Sequence, residues 1–307
     1  MRPPTVSVVV VFHDDERFLA DAIDSVLAQS FQDWELILVD DGSTDGSTEI
    51  ARGYAATHPD RARYVEHEGH ANQGISATRN LGISQAAGTY VALLDSDDVW
   101  NPEKLEEQVA ILGRHPEVGL LFGASLYWWS WAEGSTTPDQ LMRIGAAEDV
   151  VHRPPLLATT LYPLGRGVAP CPSSCLAKRD VLEAVGGFEA HFRGLYEDQC
   201  FLAKAYLATP VYVSSRCWDR YRRHPGSIMQ TVSRTHYHET RRQYLSWYEE
   251  YLEECGIHEP AITRFLDRAQ WPYRHPRLAA LRTMTSRAQA KLFGWTRSSS
   301  SRKPFRS

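Results

Sequence analysis

The stretch Val91-Ala-Leu-Leu-Asp-Ser-Asp-Asp-Val-Trp100 sets four apolar residues directly against three carboxylates, Asp95, Asp97 and Asp98. A continuous apolar run of this kind suits a strand buried on both faces. Three like charges where the strand stops repel one another, so a cation or hydrogen-bond donors must compensate them. A divalent ion does this most simply, and hard Mg2+ or Mn2+ prefers carboxylate oxygen. A solvated acidic turn capping a helix that begins near Pro102 is the other reading of the same residues.

The surrounding pattern indicates how such a cluster is positioned. Val6–Phe12 is a β-branched run and predicts a buried strand. Phe18, Leu19, Ala22, Ile23, Val26 and Leu27 then fall on one helical face. Glu35–Asp40 predicts a second buried strand and ends in Asp40-Asp41-Gly42-Ser43-Thr44-Asp45, a turn rich in capping residues. A helix is expected over 45–57, a short strand over Arg63–Glu66, a helix over Gly74–Ala86, a strand over Tyr90–Leu94 and a helix over Pro102–Arg114. Val118–Gly123 predicts a further strand. Strands alternating with helices of this length mean βαβ units and a mostly parallel sheet. Ligands bind outside the carboxyl ends of such strands. His13-Asp14, Asp40-Asp41 and Asp95-Ser96-Asp97-Asp98 all lie there.

Beyond residue 125 the pattern loosens. Tyr127-Trp-Trp-Ser-Trp131 is an aromatic cluster that reads as core or interface, or as a surface on which a sugar stacks. Ala177–Val185 regains pattern, and Asp198–Leu207 predicts a helix followed by a strand over Pro210–Val213. Thr235–Cys255 predicts a long aromatic-rich helix. Residues 298–307, rich in Ser and Arg, are expected to be disordered. No internal repeat is present.

Bulk properties exclude several classes. The 307 residues are 43% apolar and 23% charged, as in ordinary globular proteins. A net charge of −5 provides no basic field for nucleic acid. No apolar run reaches membrane-spanning length, and Met1-Arg-Pro-Pro leads straight into a strand rather than a signal peptide. The odd count of five cysteines predicts free thiols and a cytoplasmic location. Cys171 and Cys175 have no second pair of similar spacing, so small buried residues are a better reading than a zinc site. There is no Gly-x-Gly-x-x-Gly after the first strand and no P-loop. Asp40-Asp41-Gly42 reads either as a plain capped turn or as an acceptor for nucleotide donors.

Five segments, in order, resemble the family 2 glycosyltransferases. They are Val6-Ser-Val-Val-Val-Val-Phe-His-Asp14 with Ser25-Val-Leu-Ala-Gln-Ser30, then Leu38-Val-Asp-Asp-Gly-Ser-Thr-Asp45, then Asn72-Gln-Gly-Ile-Ser-Ala-Thr-Arg-Asn-Leu-Gly82, then Leu93-Leu-Asp-Ser-Asp-Asp98, and finally Gly186-Gly-Phe188 with Tyr196-Glu-Asp-Gln199. The resemblance spans about residues 5–226. It implies an α/β fold of GT-A type, a mostly parallel central sheet flanked by helices, over residues 1–228. The donor half would end at about 123, and a helical extension would occupy 229–297. It implies inverting, non-processive transfer from a nucleotide-diphospho sugar, a UDP-sugar by default, with Mn2+ or Mg2+ as cofactor. The acceptor would be a hydroxyl of a saccharide, lipid-linked or other acceptor in cell-surface polysaccharide, glycolipid or glycoconjugate synthesis.

Carried onto matching positions, the resemblance implies donor binding by Val11, His13, Asp41, Arg79, Asp95 and Ser96, with Asp41 on the base and Arg79 in the nucleotide region. Asp95 and Asp97 would form the Asp-x-Asp that holds ribose and metal. The doubled aspartate leaves open whether Asp97 or Asp98 ligates the metal. His224 fits a late metal or diphosphate contact, or else a structural histidine. Asp198 would be the catalytic base beside Glu197, although an acidic pair also caps helices. Arg79 has the alternative of a surface helix residue. Trp128, Trp129 and Glu197 are candidate acceptor-side residues. The chain departs from the family in carrying His13-Asp14 where a Tyr-Asn pair is frequent, and it lacks the Gln-x-x-Arg-Trp of processive synthases. A sugar nucleotidyltransferase and a non-catalytic nucleotide-sugar-binding protein are the alternatives. The C-terminal arginines and aromatics suit a peripheral contact at the inner membrane face or with another subunit.

Overall fold

A computed structural model describes residues 2–279. Four strands open the chain, β1 (Val6–Phe12), β2 (Trp34–Asp40), β3 (Ala62–Glu66) and β4 (Tyr90–Asp95). Helices α1 (Leu19–Leu27), α2 (Ser47–Thr57) and α3 (Ile75–Gln85) connect them. All three pairings within this group are parallel, and the register puts Val11 beside both Val39 and Asp95. The carboxyl ends therefore line up at one level, and the acidic tips share an edge.

The rest of the chain completes the sheet. Next come β5 (Val99–Trp100), α4 (Lys104–Arg114), β6 (Leu120–Trp128), β7 (Gln140–Met142), β8 (Val150–His152), α5 (Leu156–Thr160), β9 (Leu176–Lys178) and α6 (Arg179–Ala184). The last elements are α7 (Glu197–Ala208), β10 (Val211–Arg222), α8 (Ile228–Thr231), α9 (Arg234–Glu254) and α10 (Pro260–Arg274). Strand order is β3-β2-β1-β4-β9-β6-β10-β5, with β7 on β6 and β8 on β10. Short β9 runs antiparallel to both β4 and β6, joining the parallel β1–β4 group to the parallel β6–β10 pair.

Strands β1, β2 and β4 are largely apolar because both faces are covered. Val8 and Val10 pack with Leu19, Ile23 and Val26 of α1 and Leu105 of α4. Val9 and Val11 face the other way, into a core with Phe188, Phe201, Tyr244 and Tyr248. Helices α9 and α10 share that second core through Leu245, Leu252, Ile262 and Leu266, so the aromatics of α9 point inward. The basic segment 298–307 lies outside the described residues.

Two strands run longer than expected. β6 continues through Tyr127 and Trp128, and β10 continues nine residues past Val213 as far as Arg222. Register shifts between Val213 and Cys217 and between Cys217 and Asp219 break its alternation, which hides the strand from a period-two pattern. β5 is only two residues long and pairs with β10.

Helix α3 approaches the sheet closely at Gly82. A Cβ there would meet Val9 Cγ1 at 2.3 Å and Val39 Cγ2 at 3.0 Å. Alanine gains about 1 kcal/mol of helix propensity over glycine, but overpacking against stiff β-branched side chains costs about 1–3 kcal/mol or more. Gly82→Ala is therefore expected to lower stability by roughly 1–2 kcal/mol in denaturant unfolding. A stabilised variant would show that the α3–sheet spacing is looser than described.

Candidate active site

The three acidic tips differ in what their oxygens already do. Asp40 is fully buried, and its carboxylate accepts from the Ser43 amide (2.8 Å), the Thr48 hydroxyl (2.6 Å) and the Tyr64 hydroxyl (3.0 Å). It fastens the turn. Asp41 accepts from the amides of Gln73 (2.7 Å) and Gly74 (3.0 Å), tying β2 to the start of α3. Gly42 must be glycine here, because φ is +75° and a Cβ would lie 2.7 Å from the His70 carbonyl oxygen. His13 is exposed, and Asp14 next to it bonds the Thr44 amide at 2.6 Å.

Arg79 leaves α3 and is 1% exposed. It is no surface residue. Its Nη2 donates to Asp95 Oδ1 at 2.6 Å, and its Nη1 lies 3.6 Å from Glu197 Oε1. One guanidinium thus bridges the end of β4 and the start of α7. Its Nε and Nη1 make no hydrogen bond within the protein.

The turn after β4 sorts its carboxylates by burial. Asp98 is fully buried and accepts from the Arg222 amide (2.9 Å) and the Ser173 hydroxyl (2.6 Å). Burial raises its pKa well above the usual range, and the charges of Asp97 and Asp95 add to this. Asp97 keeps a partly exposed side chain whose Oδ2 lies 3.0 Å from His224 Nε2. Ser96 donates to the Asp15 carboxylate. Burial pushes Asp15 up to about 6, against the Ser96 hydrogen bond.

Arg222 holds this turn from outside. Its Nε donates to the Asp97 carbonyl at 2.8 Å and its Nη2 to Asp21 at 2.8 Å. The guanidinium sits 4.6 Å from the Phe18 ring, 4.7 Å from Trp128 and 5.2 Å from Trp131. Trp128 is therefore occupied by a cation, a contact worth about 0.5–2 kcal/mol. Trp129 packs edge-on against Tyr127 at 6.0 Å.

On the far side of Arg79, Asp198 accepts from the Gln199 amide (2.7 Å) and side-chain Nε2 (2.9 Å). Burial raises the pKa of Asp198, opposed by Gln199 and Arg79. Burial likewise lifts Glu197 to about 7, with the Asp198 charge adding and Arg79 opposing. Below the sheet edge a buried cation supports the Pro172–Ser174 turn. Lys104 Nζ donates to Gln108 (2.8 Å) and to the Ser174 carbonyl (3.3 Å), and burial depresses its pKa to about 8. All five cysteines are free thiols.

The structure thus brings Val11, Arg79, Asp95, Ser96, Asp97, His224, Glu197 and Asp198 to one strand-end region and sets Asp98 into its floor. Asp15, Ser173 and Asp21 were not anticipated. An aspartate three residues past a strand, an aspartate in the first turn of a helix, or a serine beside a Gly- and Pro-rich stretch carries no distinguishing local pattern. As for a metal, among the described residues no three His, Cys, Asp or Glu side chains converge as a closed cage. Asp97 and His224 form a two-residue donor set of carboxylate oxygen and imidazole nitrogen, compatible with an ion that takes its other ligands from phosphate and water.

The raised Glu197 gives a pH test. A carboxyl whose folded pKa lies above its unfolded value binds the extra proton in the folded state. Its contribution is complete below about pH 4.5 and is lost as pH rises to about 7. Glu197→Gln is expected to match wild type near pH 4 and to exceed it by about 1–3 kcal/mol at pH 8 in ligand-free melts. Parallel stability curves for the two proteins across that window would contradict it.

Comparison with known proteins bears on family and fold. The sequence profile described as glycosyl transferase family 2 matches residues 7–186. A putative glycosyltransferase, EpsE, of Bacillus subtilis (strain 168) is 45% identical over 112 residues, 36% of this chain and 40% of that protein. An uncharacterized glycosyltransferase of Nostoc sp. is 33% identical over 201 residues, 64% of this chain and 58% of that protein. The chain thus spans less than two thirds of the length of these relatives. S. aureus TarS 1-349 in complex with UDP-GlcNAc superimposes with a TM-score of 0.63 at 22% identity, covering 87% of this chain and 72% of that one. The mannosyltransferase PcManGT of Pyrobaculum calidifontis, in complex with GDP-Man and Mn2+, gives 0.58 at 20% identity, covering 95% and 76%. At these identities the structural likeness is one of fold, and the sequence match is what decides: the chain belongs to glycosyl transferase family 2.

Proposed function

We propose that this chain is an inverting glycosyltransferase that moves a sugar from a nucleotide-diphospho donor to an acceptor hydroxyl. The observation that carries the proposal is the Arg79 bridge between Asp95 and Glu197. It sets a donor-side acid at a strand end and the Glu197–Asp198 pair on opposite sides of one buried cation. A UDP-sugar is the default donor, supported by the fold shared with TarS, which was solved with UDP-GlcNAc.

In this reading the acceptor hydroxyl passes its proton to an Asp198 oxygen as its own oxygen attacks the anomeric carbon. The bond from that carbon to the diphosphate breaks, the electron pair leaves with the nucleoside diphosphate, and configuration inverts. A single base suffices, and burial makes Asp198 more basic than a free carboxylate. Gln199 fixes the carboxylate plane. Val11, His13, Asp41, Asp95 and Ser96 line the donor side, where Arg79, buried behind them, holds Asp95 by a charge-assisted hydrogen bond. Asp97 and His224 would hold a divalent cation, which supplies charge neutralisation at the leaving diphosphate. Mixed oxygen and nitrogen ligands favour Mn2+ over Mg2+, and the fold neighbour PcManGT was solved with Mn2+. In this assignment Asp98 positions the turn and does not ligate. Trp128 and Trp129 remain the acceptor-side aromatics of this reading, each with a guanidinium against its ring, Arg222 at 4.7 Å and Arg223 at 5.8 Å.

Thermal shift with a panel of UDP- and GDP-sugars, each with Mn2+ and Mg2+, identifies donor and ion together, because ligands stabilise the state that binds them. Asp198→Asn is expected to lose about 10²–10⁴-fold in nucleoside diphosphate release while still binding donor. Asp97→Ala is expected to lose the metal-dependent part of the thermal shift. Wild-type turnover in both variants would sink the proposal, and pyrophosphate as product would replace it with nucleotidyl transfer.

No helix among the described residues is long and apolar enough to cross a membrane. The chain would work on the cytoplasmic side, with contact to an anionic surface through residues 280–307, which carry Arg and Lys but no Asp or Glu. Flotation with anionic liposomes should require these residues. Equal flotation after their removal would end that part of the reading.

A further inference from the structure

Tyr196 immediately precedes the Glu197–Asp198 pair, and its backbone is left-handed, with φ 66° and ψ 3°. A bulky side chain there costs about 1–3 kcal/mol and persists only where its surroundings over-determine it. Those surroundings come largely from α9. The Tyr196 ring stacks on Tyr244 with centroids 5.0 Å apart. Its hydroxyl bonds the Tyr162 hydroxyl and lies 3.2 Å from that of Tyr237. Tyr162 and Tyr237 join their own hydroxyls at 2.9 Å. Arg241 closes the cluster, donating through Nη1 to the Tyr196 hydroxyl (3.2 Å) and through Nη2 to the Pro163 carbonyl (3.2 Å). Tyr237, Arg241 and Tyr244 recur at the spacing of one helical face, so a single stripe of α9 grips one side chain.

The grip reaches the catalytic pair through the backbone. The Tyr196 carbonyl accepts from the Cys200 amide at 2.9 Å, in the first turn of α7, and Glu197 and Asp198 lie inside that turn. A side chain held by four residues fixes where the turn begins. A base displaced by about 1 Å loses on the order of 10²-fold in rate.

We propose that Tyr196, gripped by Tyr237 and Arg241, is a positioning residue that sets the Glu197–Asp198 pair, making the C-terminal helices part of the catalytic apparatus. Its catalytic half rests on the glycosyl-transfer reading, whereas its mechanical half does not.

Hydrogen exchange at the amides of residues 197–201 in the full chain, without ligand, reads the grip directly. Tyr196→Phe removes one oxygen and its hydrogen bonds at nearly constant volume, and Arg241→Ala removes the cationic donor. Both are expected to speed exchange in that turn at least about tenfold and leave β1 unchanged. Exchange within about twofold of wild type in Tyr196→Phe overturns the proposal, whether or not Arg241→Ala folds. Release of nucleoside diphosphate from UDP-GlcNAc with Mn2+, normalised to nucleotide-binding sites, is expected to fall about tenfold or more with donor KM within twofold. Arg241→Lys should recover part of it. Faster exchange with an unchanged rate also overturns the proposal, since the grip would then be structural only. A wild-type protein that cleaves no nucleotide sugar counts against glycosyl transfer alone, and exchange then decides the mechanical claim.

Discussion

A guanidinium at 1% exposure is tolerated only with anions against it, and the site is arranged around that requirement. Burial alone would lower the pKa of Arg79, but the charges of Asp95, Glu197 and Asp198 outweigh it and raise the value. The cation belongs to α3, Asp95 to the end of β4, and the Glu197–Asp198 pair to the start of α7. Three elements far apart in sequence are thereby held by one charge. The Phe188 ring, 5.2 Å from the guanidinium carbon, covers it from the core side. Removing the Asp95 carboxylate would take away the one hydrogen-bonded anion of this cation in a region where desolvation costs several kcal/mol.

The Asp95–Asp98 turn shows how burial divides labour among identical side chains. Asp98 has both oxygens occupied and no exposed surface, so it acts as an internal bolt between the turn, β10 and the Pro172–Ser174 turn. Asp97 has its carbonyl fixed by Arg222 and its carboxylate directed toward His224. Arg222 is in turn seated among Phe18, Trp128 and Trp131. The aromatic cluster at the end of β6 thus serves the acidic turn at second hand, through a cation stacked on its faces.

What was legible in the sequence follows from locality. β1, β2 and β4 announce themselves because strands covered on both faces are continuous apolar runs, and Asp41, Asp95 and Asp97 follow them directly. The crossing of Arg79 from α3 to the strand ends could be matched by motif, but its burial could not, since a single arginine on a helix looks the same exposed or buried. β10 was read only as far as Val213, because two register shifts scramble its alternation. The roles of Asp15, Ser173 and Asp21 depend on contacts across 75 to 201 residues of chain and leave no local trace. Asp98 shows the remaining limit. Spacing placed it beside Asp97, and only the Arg222 amide and Ser173 hydroxyl distinguish bolt from ligand.

The N-terminal strands and the later helices share an apolar core, and polar contacts of fixed register add the accuracy that a site needs. Asn80, next to Arg79 on α3, pairs both ends of its amide with the backbone of Phe188, each at 2.8 Å. Ser76 bonds the Phe192 carbonyl at 3.0 Å, and Arg193 bonds the Gln73 carbonyl at 2.9 Å. Gly187 admits the Asn80 fork because its φ is positive and a Cβ would lie 2.4 Å from Asn80 Oδ1. An apolar interface tolerates sliding by repacking, whereas a forked amide satisfies both its bonds at one position only. The loop that leads from Gly186 to Tyr196 is therefore indexed to the same helix that carries Arg79. Helix α9 holds the far end of that loop, so the Glu197–Asp198 pair is located twice: by charge from α3 and by phenol and guanidinium contacts from the C-terminal helices.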